Sequence, residues 1–289
     1  HLRLRFFDRW LKDEQNGLED DAPVKLFVMG GGSGRTNSQQ RLDHGGRWRN
    51  EDEWPLARAV ETPFYLHPGG GLSTRCPESP SSPDEYLFDP NNPVPTIGGN
   101  ISSGQPVMAA GGFDQRESEE FLGSKQPYLP LASRPDVLAF QTELLAEDTE
   151  ITGPVSVQLW ISSSAVDTDF TAKLIDVYPP SEDYPEGYAL NLTDGILRVK
   201  FRDSWERTEL MAPGEVYQVE LSLLPISNLF VEGHRIRLDI SSSNFPRFDV
   251  NGNTGKNPGT SAVRITALNS VYHDNNRPSY ALLPVIPTS

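Results

Sequence analysis

Residue types that could do chemistry occur at several places along the 289-residue chain. A glycine-rich run, Met29-Gly30-Gly31-Gly32-Ser33-Gly34-Arg35, follows an apolar stretch. Such a run at a strand end can cradle phosphate through its backbone amides, and a serine within it can be a nucleophile. Both patterns fail at one position. The dinucleotide fingerprint and the G-x-S-x-G elbow each need glycine where Arg35 stands, and the TNSQQRLDHGG that follows does not read as a helix. A flexible turn is the better reading. Serine hydrolysis also needs a base and a carboxylate to orient it. The histidines are His1, His44, His67, His234 and His273. His234 sits in a turn leading into a strand, and His273 is expected to bond its neighbour Asp274. No serine carries the elbow signature. No two histidines have ligand spacing, and Cys76 stands alone, which excludes thiolate zinc sites. Asp249-Val250-Asn251-Gly252-Asn253-Thr254-Gly255 begins like a calcium loop. Thr254 replaces its obligatory glycine and Thr260 its bidentate glutamate, so an Asx-rich turn is expected. No catalytic residue, metal site or cofactor is expected in this chain.

Other residues fit recognition. Trp48 and Trp54, in HGGRWRNEDEWPL, could stack on sugar rings, but the usual burial of tryptophan favours core anchors, with Arg47 and Arg49 bonding local acids. Asn100-Ile101-Ser102 and Asn191-Leu192-Thr193 fit the glycosylation pattern. A serine triplet occurs twice, in VSVQLWISSSAVDTDF and in RIRLDISSSNFPRFD. Each closes an alternating apolar run, where serine hydroxyls bond the backbone as the chain turns.

Composition bounds the answer. The net charge of −15 is the wrong sign for neutralising phosphates, so neither nucleic acid nor an anionic membrane is an expected partner. No apolar run approaches the roughly 20 residues of a membrane helix. The cytoplasm is the expected location. One cysteine cannot form an internal disulfide, and the chain is long enough to fold on its own core.

The elements that must position these residues are mostly strands. HLRLRFFDRWLKDEQNG is the one strong helix: Leu4, Phe7 and Leu11 keep one face, Phe6 and Trp10 widen it, Asp8 and Lys12 can pair, and Gly17 supplies a stop. That helix needs a surface to pack on. Because the chain starts at His1 and enters this pattern at once, it reads as a C-terminal fragment. Beyond the acidic LEDDAP linker, short apolar runs alternate with turns rich in the 24 glycines and 25 prolines. VKLFVMG, VSVQLWI, FTAKLIDVY, GILRVKF, VYQVELSLL, RIRLDI, SAVRITALN and YALLPVI read as strands, with Arg235, Arg237 and Asp239 facing out. Between about residues 35 and 133 only FYLH and EYLF are clear, separated by long loops, with VLAF just beyond. The fold class is mainly β: a jelly-roll, galactose-binding-like β-sandwich preceded by one helix.

The ordered segments FFDRWLKDEQNG, VKLFVMG, RWRNEDEWPL, DPNNPVPTIGGN, SSSAVDTDFTAKL and SSSNFPRFDVNGNTG resemble the C-terminal region of the cocaine esterase and X-Pro dipeptidyl-peptidase family of serine acyl hydrolases. The resemblance implies that residues 1–22 are the last helix and linker of an α/β-hydrolase domain that carries the Ser-His-Asp triad, and that residues 23–289 are the jelly roll packed against it. On that basis His1 is not the family's base, and this chain alone is inactive. In relatives, residues just after a Gly-Gly wall the acyl pocket. This puts Ile101, Ser102 and Ser103 at the substrate-pocket edge. The serines replace larger apolar residues, which implies a smaller or more polar acyl group. The partners implied are the chain's own N-terminal α/β-hydrolase domain and a small acyl ester or amide substrate, with homo-oligomerisation left open. The alternative is a free-standing carbohydrate-binding jelly roll.

Overall fold

A computed structural model describes residues 2–104, 107–257 and 259–287; His1 lies outside them. The expected helix forms as α1 (Leu2–Lys12), with Asp8 and Lys12 paired at 2.5 Å. It ends before Gly17. Asp13 takes the left-handed position at φ 56°, and the Glu14 amide folds back to donate to the Asp8 carbonyl at 3.1 Å, which stops the helix. The polar side of α1 ties down the linker: Arg5 bonds Asp21 at 2.9 Å, Arg9 bonds Glu19, and the Asn16 amide donates to the Arg5 carbonyl. Its apolar side covers nothing. Leu2, Leu4, Phe6, Phe7, Trp10 and Leu11 are all between 51% and 77% exposed.

The rest is β-structure. The strands are β1 (Val24–Gly30), β2 (Gly46–Glu51), β3 (Val60–His67), β4 (Gly71–Ser73), β5 (Asp84–Phe88), β6 (Leu138–Gln141) and β7 (Thr149–Ser163). They continue as β8 (Asp169–Tyr178), β9 (Tyr188–Arg198), β10 (Tyr217–Phe230), β11 (Arg235–Ser241), β12 (Ala267–Tyr272) and β13 (Tyr280–Ile286). Their hydrogen-bonded order is β2-β1-β10-β7-β13-β3-β4-β6-β11-β8-β9, with β12 pairing β5 and β7. Pairing is antiparallel except β1 with β10 and β4 with β6. The sheet curls until β9 meets β10. There Thr193 Oγ1 donates to Leu224 O at 3.0 Å, and Gly195 lies so close that a Cβ would stand 2.7 Å from Ser222 O. This closure gives the expected β-sandwich, mainly β with one helix ahead of it.

Alternation decides what lies inside. Val155, Val157, Leu159 and Ile161 of β7 and Ile236, Leu238 and Ile240 of β11 fill one core with Phe88, Phe140, Phe170 and Phe230. β11 departs from the half-buried expectation. Arg237 and Asp239 do not face water; they form an ion pair at 2.9 Å with side chains under 10% exposed. A second layer covers them, built from the long segment before β6, with its own apolar cluster of Val94, Ile97, Leu131 and Val137. Two strands depart from the sequence pattern. β2 has Trp48 as its one large apolar residue among polar and charged ones, as befits an edge strand, and β12 starts at Ala267, after the Ser-Ala-Val-Arg stretch expected to open it. Among the described residues no helix is long and apolar enough to cross a membrane.

Candidate functional site

The pocket-edge segment begins where the second layer leaves the core. Val94, Thr96 and Ile97 are buried, and Thr96 N–H donates to Phe245 O at 2.7 Å. The chain then turns outward through Gly98 (φ 69°) and Gly99 (φ 119°). Only glycine fits Gly98, since a Cβ there would lie 2.4 Å from Gly111 O. Gly99 and Gly111 exchange two backbone hydrogen bonds of 2.8 Å, so residues 99–104 and 107–111 form the two limbs of a narrow arm. Ile101, Ser102 and Ser103 lie on its outgoing limb. Ile101 is half exposed; Ser102 Oγ donates to Met108 O (3.2 Å) and accepts from Gly104 N–H (3.0 Å); Ser103 N–H also donates to Met108 O (3.2 Å).

The arm borders a cleft of about 640 Å³. Gly99, Asn100, Gly111 and Gly112 form one wall, the loop between β1 and β2 forms the opposite wall, and Tyr188 and Leu190 of β9 form the floor. Of the glycine-rich run only Met29 lines the cleft; the run is a turn whose amides are engaged, Gly32 N–H donating to His44 O and Gly34 N–H to Asp43 O, both at 3.0 Å. Asp43 accepts from the hydroxyl and amide of Ser33, and the Ser33 hydroxyl in particular holds its carboxyl below the usual range. Arg41 faces the arm. It donates to Gly112 O at 3.2 Å and lies 4.8 Å from the centre of the Phe113 ring. Burial raises the Tyr188 phenol to about 12 and also raises the neighbouring Asp114, against the Ala189 amide that bonds it. The cleft sets the Arg41 guanidinium, the Asp43 carboxylate, His44 and the Asn100 and Asn191 side chains around a floor of Tyr188 and Leu190.

The other candidates resolve into structure. Ser162 Oγ meets the Tyr272 hydroxyl at 3.2 Å and Ser163 Oγ accepts from Ala165 N–H at 3.1 Å. Ser242 Oγ meets the Tyr86 hydroxyl at 2.7 Å, and Ser243 Oγ accepts from Val94 N–H at 2.8 Å. The aspartates after the first triplet are buried: Arg198 grips Asp169 through two bonds of 2.8 Å, and the Asn251 amide bridges Asp167 and Asp169. Burial raises both carboxyls. Asn251 Oδ1 accepts from Asn253 N–H at 2.9 Å, the Asx turn expected of that loop.

His234 is buried on Asp176 at 2.8 Å. His273 does not bond Asp274, whose carboxylate is taken by Arg277 and two backbone amides. Its partners are Ser81 Oγ on Nδ1 and Asp84 Oδ2 on Nε2, both at 3.1 Å. With the imidazole completely buried beside Phe140, this chain of bonds fastens the loop before β5. Cys76 is exposed, as its loop implies. The tryptophans correct the burial expectation. Trp48, on the edge strand β2, is 64% exposed, and Trp54, beyond the end of that strand, 39%; Arg49 bonds its neighbour Glu51 and the distant Glu150.

Comparison with known proteins agrees with this architecture. Residues 16–281 match the family of the X-Pro dipeptidyl-peptidase C-terminal non-catalytic domain. Cocaine esterase from Rhodococcus sp. (strain MB1 Bresler) is 39% identical over 297 residues, covering 99% of this chain and 45% of that protein. Among solved structures, an aminopeptidase from the marine sediment archaeon Thaumarchaeota archaeon superposes with a TM-score of 0.75 at 27% identity, over 99% of this chain and 44% of that one. An α-amino acid ester hydrolase superposes with a TM-score of 0.73 at 29% identity, over 97% of this chain and 43% of that one. The chain thus spans less than half the length of each of these relatives. It belongs to the X-Pro dipeptidyl-peptidase C-terminal non-catalytic domain family, the β-sandwich module of the hydrolases related to cocaine esterase.

Proposed function

We propose that this chain is the module of a serine acyl hydrolase, of ester, amide or X-Pro dipeptidyl-peptidase type, that packs on a catalytic α/β-hydrolase domain and walls part of its substrate pocket. The bare apolar face of α1 carries this reading. Its six large side chains face away from the β-sandwich, and covering each contributes about 1.5–3 kcal/mol. A covering domain supplies that surface. In this reading residues 1–22 belong to the catalytic domain and residues 23–289 to the module, in keeping with a family match that starts at residue 16, beyond α1.

The arm is the module's contribution to the pocket, with Ile101, Ser102 and Ser103 at its edge. Two small hydroxyl side chains on that limb leave room for a small or polar acyl group and offer little to an aromatic one. In the full-length protein, replacing Ser102 by Leu and Ser103 by Phe should shift kcat/KM toward p-nitrophenyl benzoate over p-nitrophenyl acetate by about tenfold or more. An unchanged ratio would remove the arm from the pocket.

A second reading has one observation in its favour. Trp48 is exposed, with Phe27 packed edge-on at 5.2 Å and Lys25 Nζ 5.6 Å from its ring centre, an aromatic platform on which a sugar ring can stack. It requires glycan binding that Trp48→Ala abolishes; a glycan array without signal would eliminate it.

A further inference from the structure

The second serine triplet runs on into Asn244-Phe245-Pro246-Arg247, and this stretch lies alongside the chain that leads to the arm. Phe245 N–H donates to Val94 O (2.9 Å), Thr96 N–H to Phe245 O (2.7 Å), and Arg247 N–H to Thr96 Oγ1 (3.2 Å). The two segments thereby travel in parallel, bridged at Pro95 and Phe245, up to the Gly98-Gly99 turn. There the Arg247 side chain crosses under the turn. A Cβ on Gly99 would stand 2.9 Å from Arg247 Nη1, so the guanidinium occupies the space that a side chain at this position would need.

The guanidinium is itself held. Arg247 Nη1 bonds Asp194 Oδ1 of β9 at 2.9 Å, and Asn244 Nδ2 donates to the other oxygen of Asp194 at 2.9 Å. The Arg247 side chain is 6% exposed and its Nε is buried with no hydrogen-bond partner. A small cleft of about 120 Å³, lined by Arg247, Asp194, Gly99, Asn100 and Asn191, opens at the same place. Gly99, Asn100 and Asn191 also line the large cleft. Arg247 thus stands directly behind the root of the arm.

We propose that Arg247, seated on Asp194, is a positioning residue that sets the angle at which the arm, and with it Ile101, Ser102 and Ser103, enters the substrate pocket. The arm's paired limbs begin at Gly99 and Gly111; Ile101, Ser102 and Ser103 on the outgoing limb are exposed, and Met108 is buried on the returning one. The angle at which the outgoing limb leaves is set at this root. The functional half of the inference rests on the reading of the arm as the pocket edge; the structural half does not.

The two halves are tested together in the full-length protein with Arg247→Met and Arg247→Lys. By hydrogen exchange, the Gly99 and Gly111 amides should lose protection by about tenfold or more in the methionine variant while the β7 amides stay unchanged. Lysine keeps a charge opposite Asp194 but cannot span to Gly99 with a planar fork, so its exchange should fall between. Should the methionine variant fail to fold, the lysine variant alone carries the test. With p-nitrophenyl butyrate, KM should rise about fivefold in the methionine variant with kcat nearly unchanged, and lysine should recover part of it. Wild-type protection at Gly99 and Gly111 in either folded variant would overturn the inference, as would equal loss at all amides. Loosened arm amides with an unaltered KM would leave Arg247 as the arm's anchor and overturn the pocket-edge reading instead.

Discussion

Glu51 and Glu150 show what single residues contribute to this fold. Arg58 donates to Glu51, and Arg49 joins Glu51 to Glu150 with two bonds of 2.6 and 2.7 Å on the latter. Arg58 is the main reason that Glu51 is held below the ordinary value of 4.5. Burial would raise Glu150, but the Arg49 pair overrides it and the carboxyl is lowered too. Both groups bind protons less readily folded than unfolded. Their stabilisation is therefore complete above about pH 4.5 and is lost as pH falls through the lowered folded values. Arg49→Met should cost about 1.5–3 kcal/mol at pH 7 by urea unfolding, and its deficit against wild type should shrink between pH 5 and pH 3. Buried Asp169, raised by its environment, acts in the opposite direction and is common to both proteins. A deficit independent of pH would show that the network is not ionic. At this scale the serine triplets were legible in part: Ser163 bonds the backbone two residues on, but Ser162, Ser242 and Ser243 reach Tyr272, Tyr86 and Val94 far along the chain. Arg41 and Arg247 were not legible, because nothing near them in the chain announces the glycine backbones they touch.

At the scale of elements, legibility followed burial. β7 and β11 present unbroken apolar alternation, since one side of each lies in the core. β2 was invisible because an edge strand with Arg47, Arg49 and Glu51 carries no apolar period. The outward charges of β11 were misjudged because their cover comes from a loop more than a hundred residues earlier, whose own sequence has no regular period. The α1 pattern was plain, and its consequence is testable. Phe7→Glu with Trp10→Glu should leave the thermal midpoint of this chain within about 2 °C, since neither side chain is buried here. In the full-length protein the same pair should lower the midpoint and weaken domain association, read by limited proteolysis between α1 and β1. Equal midpoints in both proteins would mean that nothing covers the helix.

The whole molecule was identifiable by the order of its segments more than by any site. Arg247 beyond the second serine triplet, the Gly98-Gly99 turn and β9 lie far apart in sequence and meet in space at the root of one arm beside one cleft. That convergence was illegible beforehand, because it depends on the curl that brings β9 against β10 and on a second layer without periodicity. In the proposed function this chain has a supporting part, as wall, arm and docking helix, and the acyl chemistry belongs to a catalytic domain. The most direct measurement is hydrolysis of p-nitrophenyl acetate and butyrate by the purified chain, beside the full-length protein, each with and without a serine-reactive phosphonate. The expected result is background hydrolysis by this chain and phosphonate-sensitive turnover by the full-length protein. Phosphonate-sensitive turnover by this chain alone would contradict it.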